Sequence, residues 1–209
     1  MNKQKPKALI RVESNSEIGS GHAMRMLALA SMLHKHFDLY LAFRDMPTKI
    51  QKLYQEFGVI LINLEDTKFH EELDFISFKV NDLDIAIVDG YKSLDYFKNK
   101  CIESELKLVL IDDLLINNIK ADLIINHSPG IKESEFKPLK NTIFCLGLDF
   151  ALIQDCFLDQ AKSTINLPYQ RKGIFMNLGG SDPKNLTPEI LNFLIKNTNE
   201  VFVYFLKLD

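Results

Sequence analysis

Seven short apolar or β-branched runs recur along the first three quarters of the chain: Ala8–Glu13, Leu39–Phe43, Val59–Ile62, Ile85–Asp89, Leu108–Asp112, Leu123–Asn126 and Ile143–Leu146. They are nearly continuous in apolar character rather than alternating, which is the mark of strands covered on both faces. Between them the apolar positions recur near a 3.6-residue period and predict helices over 22–36, 46–57, 68–80 and 93–104. In the first of these, Met24, Leu27, Ala28, Ala30, Ser31 and Leu33 carry the pattern. Strands alternating with helices predict an α/β fold with a parallel sheet, here a Rossmann-like domain over residues 1–158.

The pattern then lapses. Residues 159–172 are polar, contain Pro168 and show little periodicity, so a linker is expected there. It restarts at 173–209 with a strand (Gly173–Leu178), a glycine loop (Gly179-Gly180-Ser181-Asp182-Pro183), a helix (Thr187–Asn197) and a strand (Val201–Leu206). So short a unit buries too little surface to stand alone. It is expected to be the start of a second nucleotide-binding domain that is incomplete.

Composition narrows the function. The chain has 209 residues, 46% hydrophobic and 25% charged, the balance of a protein with a packed core. A net charge of −3 with no basic stripe argues against nucleic acid as a partner. The three cysteines, Cys101, Cys145 and Cys156, form no C-x-x-C pair, which offers neither a zinc site nor a disulfide framework and fits a reduced compartment. No run is long enough for a signal peptide core or a membrane span, so a cytoplasmic protein without membrane insertion is expected.

The first strand leads directly into Ser14-Asn15-Ser16-Glu17-Ile18-Gly19-Ser20-Gly21-His22, and a helix follows. Small residues there let a ligand approach the backbone, and the N–H groups of a helix start favour an anion. The dinucleotide pattern G-x-G-x-x-G fails because its third glycine is Met24, and no Gly-Lys-Ser/Thr closes a P-loop. What stands is G-x-G-H-x-x-R, with Gly19, Ser20, Gly21 and Arg25 as candidate substrate-binding residues and His22 at the mouth. An imidazole titrates at about 6.5 when unperturbed, so near neutrality it can accept a proton. His22 is then either the general base or a residue that merely caps the helix. Gly179, Gly180, Ser181 and Asp182 occupy the equivalent strand-to-helix loop of the second unit and could offer N–H groups to a phosphate from across a cleft.

These residues carry a resemblance. Arg11-Val12-Glu13, the stretch Ile18 to Arg25, Val88-Asp89-Gly90-Tyr91, Ile111-Asp112-Asp113-Leu114, Asn126, Gly147 to Leu152 and Gly179 to Thr187 appear in the order found in the UDP-2,4-diacetamido-2,4,6-trideoxy-β-L-altropyranose hydrolases of pseudaminic acid biosynthesis. The chain resembles that family over essentially its whole length. The resemblance implies a two-domain glycosyltransferase-B fold, similar to the peptidoglycan glycosyltransferase that makes lipid II. It implies a small-molecule UDP-sugar substrate, no cofactor and no metal, with His22 as the base that directs water to the anomeric carbon. Asp89, Tyr91 and Asn126 would line the sugar pocket. The family usually has His where this chain has Gly90, and Arg where it has Gln154. It also continues with a segment that grips uridine and ribose. The alternatives are a glycosyltransferase using a UDP-sugar donor and an inactive truncated fragment.

Other polar residues have plainer readings. Asp112-Asp113 is expected to end a strand, one carboxylate taking loop N–H groups and the other in solvent. Asp82-Leu83-Asp84 precedes its strand and reads as a turn. His34 and His36, at the end of a helix where cations are favoured, read as structural.

Overall fold

A strand that is apolar on both sides must be sandwiched, and the central strands of this chain are, with Lys7–Val12 and Ile85–Asp89 the most completely buried. The computed structural model describes residues 5–13, 20–90, 94–115, 120–137, 141–162, 173–178, 182, 184–197 and 202–205. Strands β1 (Lys7–Val12), β2 (Asp38–Phe43), β3 (Ile60–Asn63), β4 (Ile85–Asp89), β5 (Lys107–Ile111), β6 (Leu123–Asn126) and β7 (Ile143–Leu146) form one sheet in the order β3-β2-β1-β4-β5-β6-β7. Every neighbouring pair is parallel, with Ala8 of β1 beside Leu39 of β2 and Ile85 of β4. Helices α1 (Gly21–Leu33), α2 (Thr48–Glu56), α3 (Glu72–Lys79) and α4 (Leu94–Glu103) supply the crossovers. The α/β reading and the parallel sheet are thus borne out.

Alternation along the strands sorts the core into two layers. Ala8, Ile10 and Val12 join Ala23 and Met26 of α1 and Ile50 and Tyr54 of α2 in one cluster. Leu9 joins Leu73 and Ile76 of α3 and Phe97 and Cys101 of α4 in the other. The same alternation assigns faces to the polar residues at the carboxyl ends of the strands. Asp89 has the parity of Ile87 and lies on the α1 side, whereas Asn126 has the parity of Ile124 and lies on the α3 and α4 side.

Arg11 follows Leu9 onto that second face, where a full charge must be paired. Its Nε and Nη2 donate to Glu72 at 2.8 and 3.0 Å, and Arg44 Nε donates to the same carboxylate at 2.9 Å. Glu72 is fully buried and Arg11 is 1% exposed. The triad ties the end of β1 to α3 and to the turn after β2.

Glu13, one step beyond β1, is buried against Gly90, one step beyond β4. A Cβ at Gly90 would stand 2.5 Å from Glu13 Cγ and 2.6 Å from Cδ, so the glycine is required by its neighbour rather than by its backbone. Gly90→Ala is expected to cost about 1–3 kcal/mol through overpacking. In a Glu13→Ala background most of that cost should vanish, a coupling that denaturant unfolding of the double-mutant cycle would read. Equal costs in both backgrounds would mean that Glu13 is not the obstacle.

The structure departs from the sequence expectations at element ends and at one helix. The predicted helix over 68–80 is a 3-10 turn at Phe69–Glu71 followed by α3. An additional helix, α5 (Asp155–Ala161), runs into the expected linker, whose remaining residues 163–172 lie outside the described ones. It is only seven residues long, too short for a helical period to stand out in the sequence. Beyond it, β8 (Gly173–Met176) and β9 (Phe202–Phe205) pair in parallel as a separate two-stranded sheet, with helix α6 (Thr187–Asn197) between them in sequence. Asp82 adopts a positive φ of 57° in the turn before β4, and Asp84 accepts the Lys7 N–H at 2.8 Å, as a turn reading requires.

Candidate functional site at the sheet switch point

β2 leaves β1 on one side and β4 flanks it on the other, so the chain reverses direction across the sheet between β1 and β4. In open parallel sheets the crevice at that reversal, outside the carboxyl ends of the strands, is where ligands bind. α1 starts there at Gly21, with Ser20 at its N-cap making no side-chain capping bond and no acidic residue in its first turn. Its positive end is therefore turned to the crevice without a carboxylate of its own helix to offset it. Tyr54 of α2 fixes that first turn by donating to the Ala23 carbonyl at 2.6 Å. Burial, and then the nearby Asp89 charge, pushes the Tyr54 phenol far above its ordinary value.

His22 is on the first turn of α1. Its Nδ1 lies 2.7 Å from Asp89 Oδ1, with the ring 16% exposed and the carboxylate fully buried. Arg25, one turn further on, grips the same carboxylate with Nε to Oδ2 at 2.6 Å and Nη2 to Oδ1 at 2.5 Å. A carboxylate so bound by a guanidinium is ionised and can only accept, so the proton of the His22–Asp89 bond sits on Nδ1. The lone pair of His22 is then on Nε2. Arg25 Nη2 also lies 3.4 Å from His22 Nδ1, but a donor facing a donor adds no bond. The helix-capping alternative for His22 gives way, because its Nδ1 is taken by Asp89.

Arg25 continues the row. Nη1 and Nη2 donate to Asp113 at 2.7 and 3.2 Å, which departs from the expectation that the second carboxylate of the Asp112-Asp113 pair is merely solvated. Asp112 does take a loop N–H, from Leu114 at 2.9 Å. Between its two carboxylates the Arg25 guanidinium is held well above its ordinary value: desolvation opposes the charge, and the Asp89 and Asp113 bonds and charges outweigh it. For Asp113, desolvation pushes the carboxyl up, but the Arg25 bond and charge, with smaller help from His22 and His127, hold it below the ordinary value of 3.8.

A lowered folded pKa is stabilising above the unfolded value and ceases to be so as pH falls through the folded one. Wild type is therefore expected to exceed Asp113→Asn in stability by about 1 kcal/mol near neutrality, the side chain being a third exposed and screened. The gap should close on acidification below roughly pH 4. Unfolding curves of both proteins across the acid range test this, and a gap that persists or widens there would contradict it.

Asp89 does not line a pocket; it is fully buried and orients His22 and Arg25. Arg25 donates to both the Asp89 and the Asp113 carboxylates. Asn126 is 2% exposed, its Oδ1 accepts the Ser128 N–H at 2.9 Å, and it lies on the opposite sheet face from Asp89. Asp182 accepts the Leu186 N–H at 3.0 Å and the Thr187 N–H at 2.9 Å, so both its oxygens cap the start of α6. The Thr187 bonds hold its carboxyl below the ordinary value. Ser20 and Gly21 stand at the N-cap and first position of α1. Gly19, Tyr91, Gly179, Gly180 and Ser181 lie outside the described residues.

Sequence reasoning missed Asp113 as a partner of Arg25 and Glu13 as the neighbour of Gly90. His34 is structural as expected: its Nδ1 lies 2.7 Å from the Ser31 carbonyl and its ring is 5.3 Å from that of Phe57. Among the described residues no three His, Cys, Asp or Glu side chains gather as a metal ion would require. No helix among them is long and apolar enough to cross a membrane.

Comparison with known proteins gives three informative likenesses. The chain is 30% identical over 194 residues to the UDP-2,4-diacetamido-2,4,6-trideoxy-β-L-altropyranose hydrolase of Campylobacter jejuni, covering 91% of this chain and 66% of that protein. It is 26% identical over 200 residues to the spore coat polysaccharide biosynthesis protein SpsG of Bacillus subtilis, covering 93% of this chain and 58% of that one. The chain thus spans just under two thirds, or less, of these curated relatives. Among solved structures, MurG of Acinetobacter baumannii shares the fold, with a TM-score of 0.51 at 9% identity over 97% of this chain and 68% of that one. No family model matches the sequence.

Proposed function

As the chain belongs to the family of the UDP-2,4-diacetamido-2,4,6-trideoxy-β-L-altropyranose hydrolase, we propose that it hydrolyses a UDP-linked 2,4-diacetamido-2,4,6-trideoxyhexose to free sugar and UDP. The reaction belongs to pseudaminic acid biosynthesis, in the cytoplasm. The observation that carries the reading is the buried Asp89 carboxylate 2.7 Å from His22 Nδ1 at the sheet switch point.

In this reading His22 is the general base. With its proton held on Nδ1 by Asp89, Nε2 removes a proton from a water aimed at the anomeric carbon. The water oxygen bonds to that carbon as the bond to the diphosphate oxygen breaks, and UDP leaves with the electron pair. The transient imidazolium is stabilised by Asp89, and its proton then passes to solvent. The positive end of α1, with Gly19, Ser20 and Gly21, offsets charge growing on the leaving diphosphate. Arg25 and Asp89 act as positioning residues, and Tyr91 belongs to the sugar pocket. Gly179, Gly180 and Ser181, in a second nucleotide-binding unit starting at residue 173, would supply backbone N–H groups to the diphosphate.

The test is release of UDP from the diacetamido nucleotide-sugar in buffer with no other acceptor. Acceptor-independent release is the expected result. Release that waits for an added lipid or protein acceptor would replace hydrolase by glycosyltransferase, and no release under either condition would remove both.

A further inference from the structure

The row of charged groups on the α1 side of the sheet has one more member. Asp89 follows β4, Asp113 follows β5, and His127 follows β6 with the parity of Ile125, which packs in the α1 and α2 cluster. His127 is near enough to Asp113 to act on its carboxyl, as His22 is from the other side. It is part-buried, yet its Nδ1 is fully buried with no hydrogen-bond partner, whereas Nε2 is not shut away in this manner.

A proton on a buried nitrogen without an acceptor costs more than a lone pair left there, because an unmade N–H is the harder group to strand. The proton of the neutral ring therefore belongs on Nε2. His22 is the reverse, with its proton on Nδ1 and its lone pair on Nε2. One sheet edge thus holds two imidazoles in opposite tautomers, one able to accept through Nε2 and the other able to donate through it.

We propose that His127 is a further substrate-contacting residue of this site, presenting Nε2–H as a donor to an oxygen of the bound substrate, either a diphosphate oxygen or an acetamido carbonyl. The proposal rests on the nucleotide-sugar reading for its ligand but not for its tautomer.

The first experiment is nitrogen NMR of imidazole-labelled protein near pH 8, where ordinary imidazoles are neutral. His127 is expected to show a protonated Nε2 and an unprotonated Nδ1, with His22 opposite. Adding UDP or the UDP-sugar should shift the His127 Nε2 signal. The second compares variants: His127→Ala should lower kcat/KM by roughly 10- to 100-fold, the value of one hydrogen bond to a charged or strongly polar oxygen. His127→Gln, whose amide N–H can take the Nε2 position, should stay within about threefold of wild type. Weaker UDP binding by the alanine variant would place the contact on the diphosphate; a raised KM with unchanged UDP affinity would place it on the sugar. A protonated Nδ1, an Nε2 signal indifferent to both ligands, or a fully active alanine variant would each overturn the proposal. The NMR arms need only wild-type protein, so a misfolded variant does not blunt them. Absence of UDP release with an Nε2 signal that still answers UDP would remove the hydrolase reading alone.

Discussion

His22→Ala is expected to lower UDP release by about 100- to 10,000-fold, the usual contribution of a positioned general base, while UDP affinity changes by less than a few fold. The split follows from geometry. His22 is held by Asp89 at 2.7 Å on the first turn of α1, where Nε2 can serve a water while the positive end of the helix meets the diphosphate. Truncating a ring that is only 16% exposed and bonded to the buried Asp89 carboxylate removes packing and one charge-assisted bond, so unfolding should cost about 1–3 kcal/mol. Steady-state rates and UDP titration on the same preparation separate the two effects. A variant that loses UDP binding but turns over normally when saturated would assign His22 to binding instead of proton transfer.

Asp89→Asn is expected to damage rate and stability together. The substituted amide can accept one hydrogen bond in that plane but offers a donor in place of the second oxygen. Either Arg25 loses half of its grip, or the amide N–H faces His22 Nδ1 and drives the proton to Nε2. In the second case the base is lost with the ring still in place, and a rate decrease of about 100- to 10,000-fold should follow. Breaking a buried charge pair from one side costs about 3–5 kcal/mol, and Asp113, which holds Arg25 at 2.7 Å, should keep the loss near the lower end. Rates at saturating substrate and denaturant unfolding test the two effects in parallel. A variant destabilised by that amount yet fully active would make Asp89 a structural residue only.

How far the sequence could lead depended on distance along the chain. Apolar runs such as Ile85–Asp89 and Leu123–Asn126 placed strands to the residue, because a strand covered on both faces writes its burial into consecutive positions. The His22 loop was legible as a strand-to-helix turn, since glycines and small residues there have a local meaning. The partnership of Asp89 with His22 was not legible, because 67 residues separate the pair and only the β1 to β4 pairing brings them together. Arg25 and Asp113, 88 residues apart, left no spacing signal at all. Asp182 has a local role that the loop pattern did not announce. It sits in a glycine loop that suggests an anion site, yet its own helix start at Thr187 takes both carboxylate oxygens. An acidic side chain just before a helix is a cap before it is a ligand contact.

The measurement that bears most directly on the account is hydrolysis of the UDP-diacetamido-trideoxyhexose in water enriched in oxygen-18, followed by mass analysis of both products. Attack on the anomeric carbon predicts one heavy oxygen in the free sugar and none in UDP. Heavy oxygen in UDP would mean attack on phosphorus, and it would contradict the role assigned to His22 and to the site built around it.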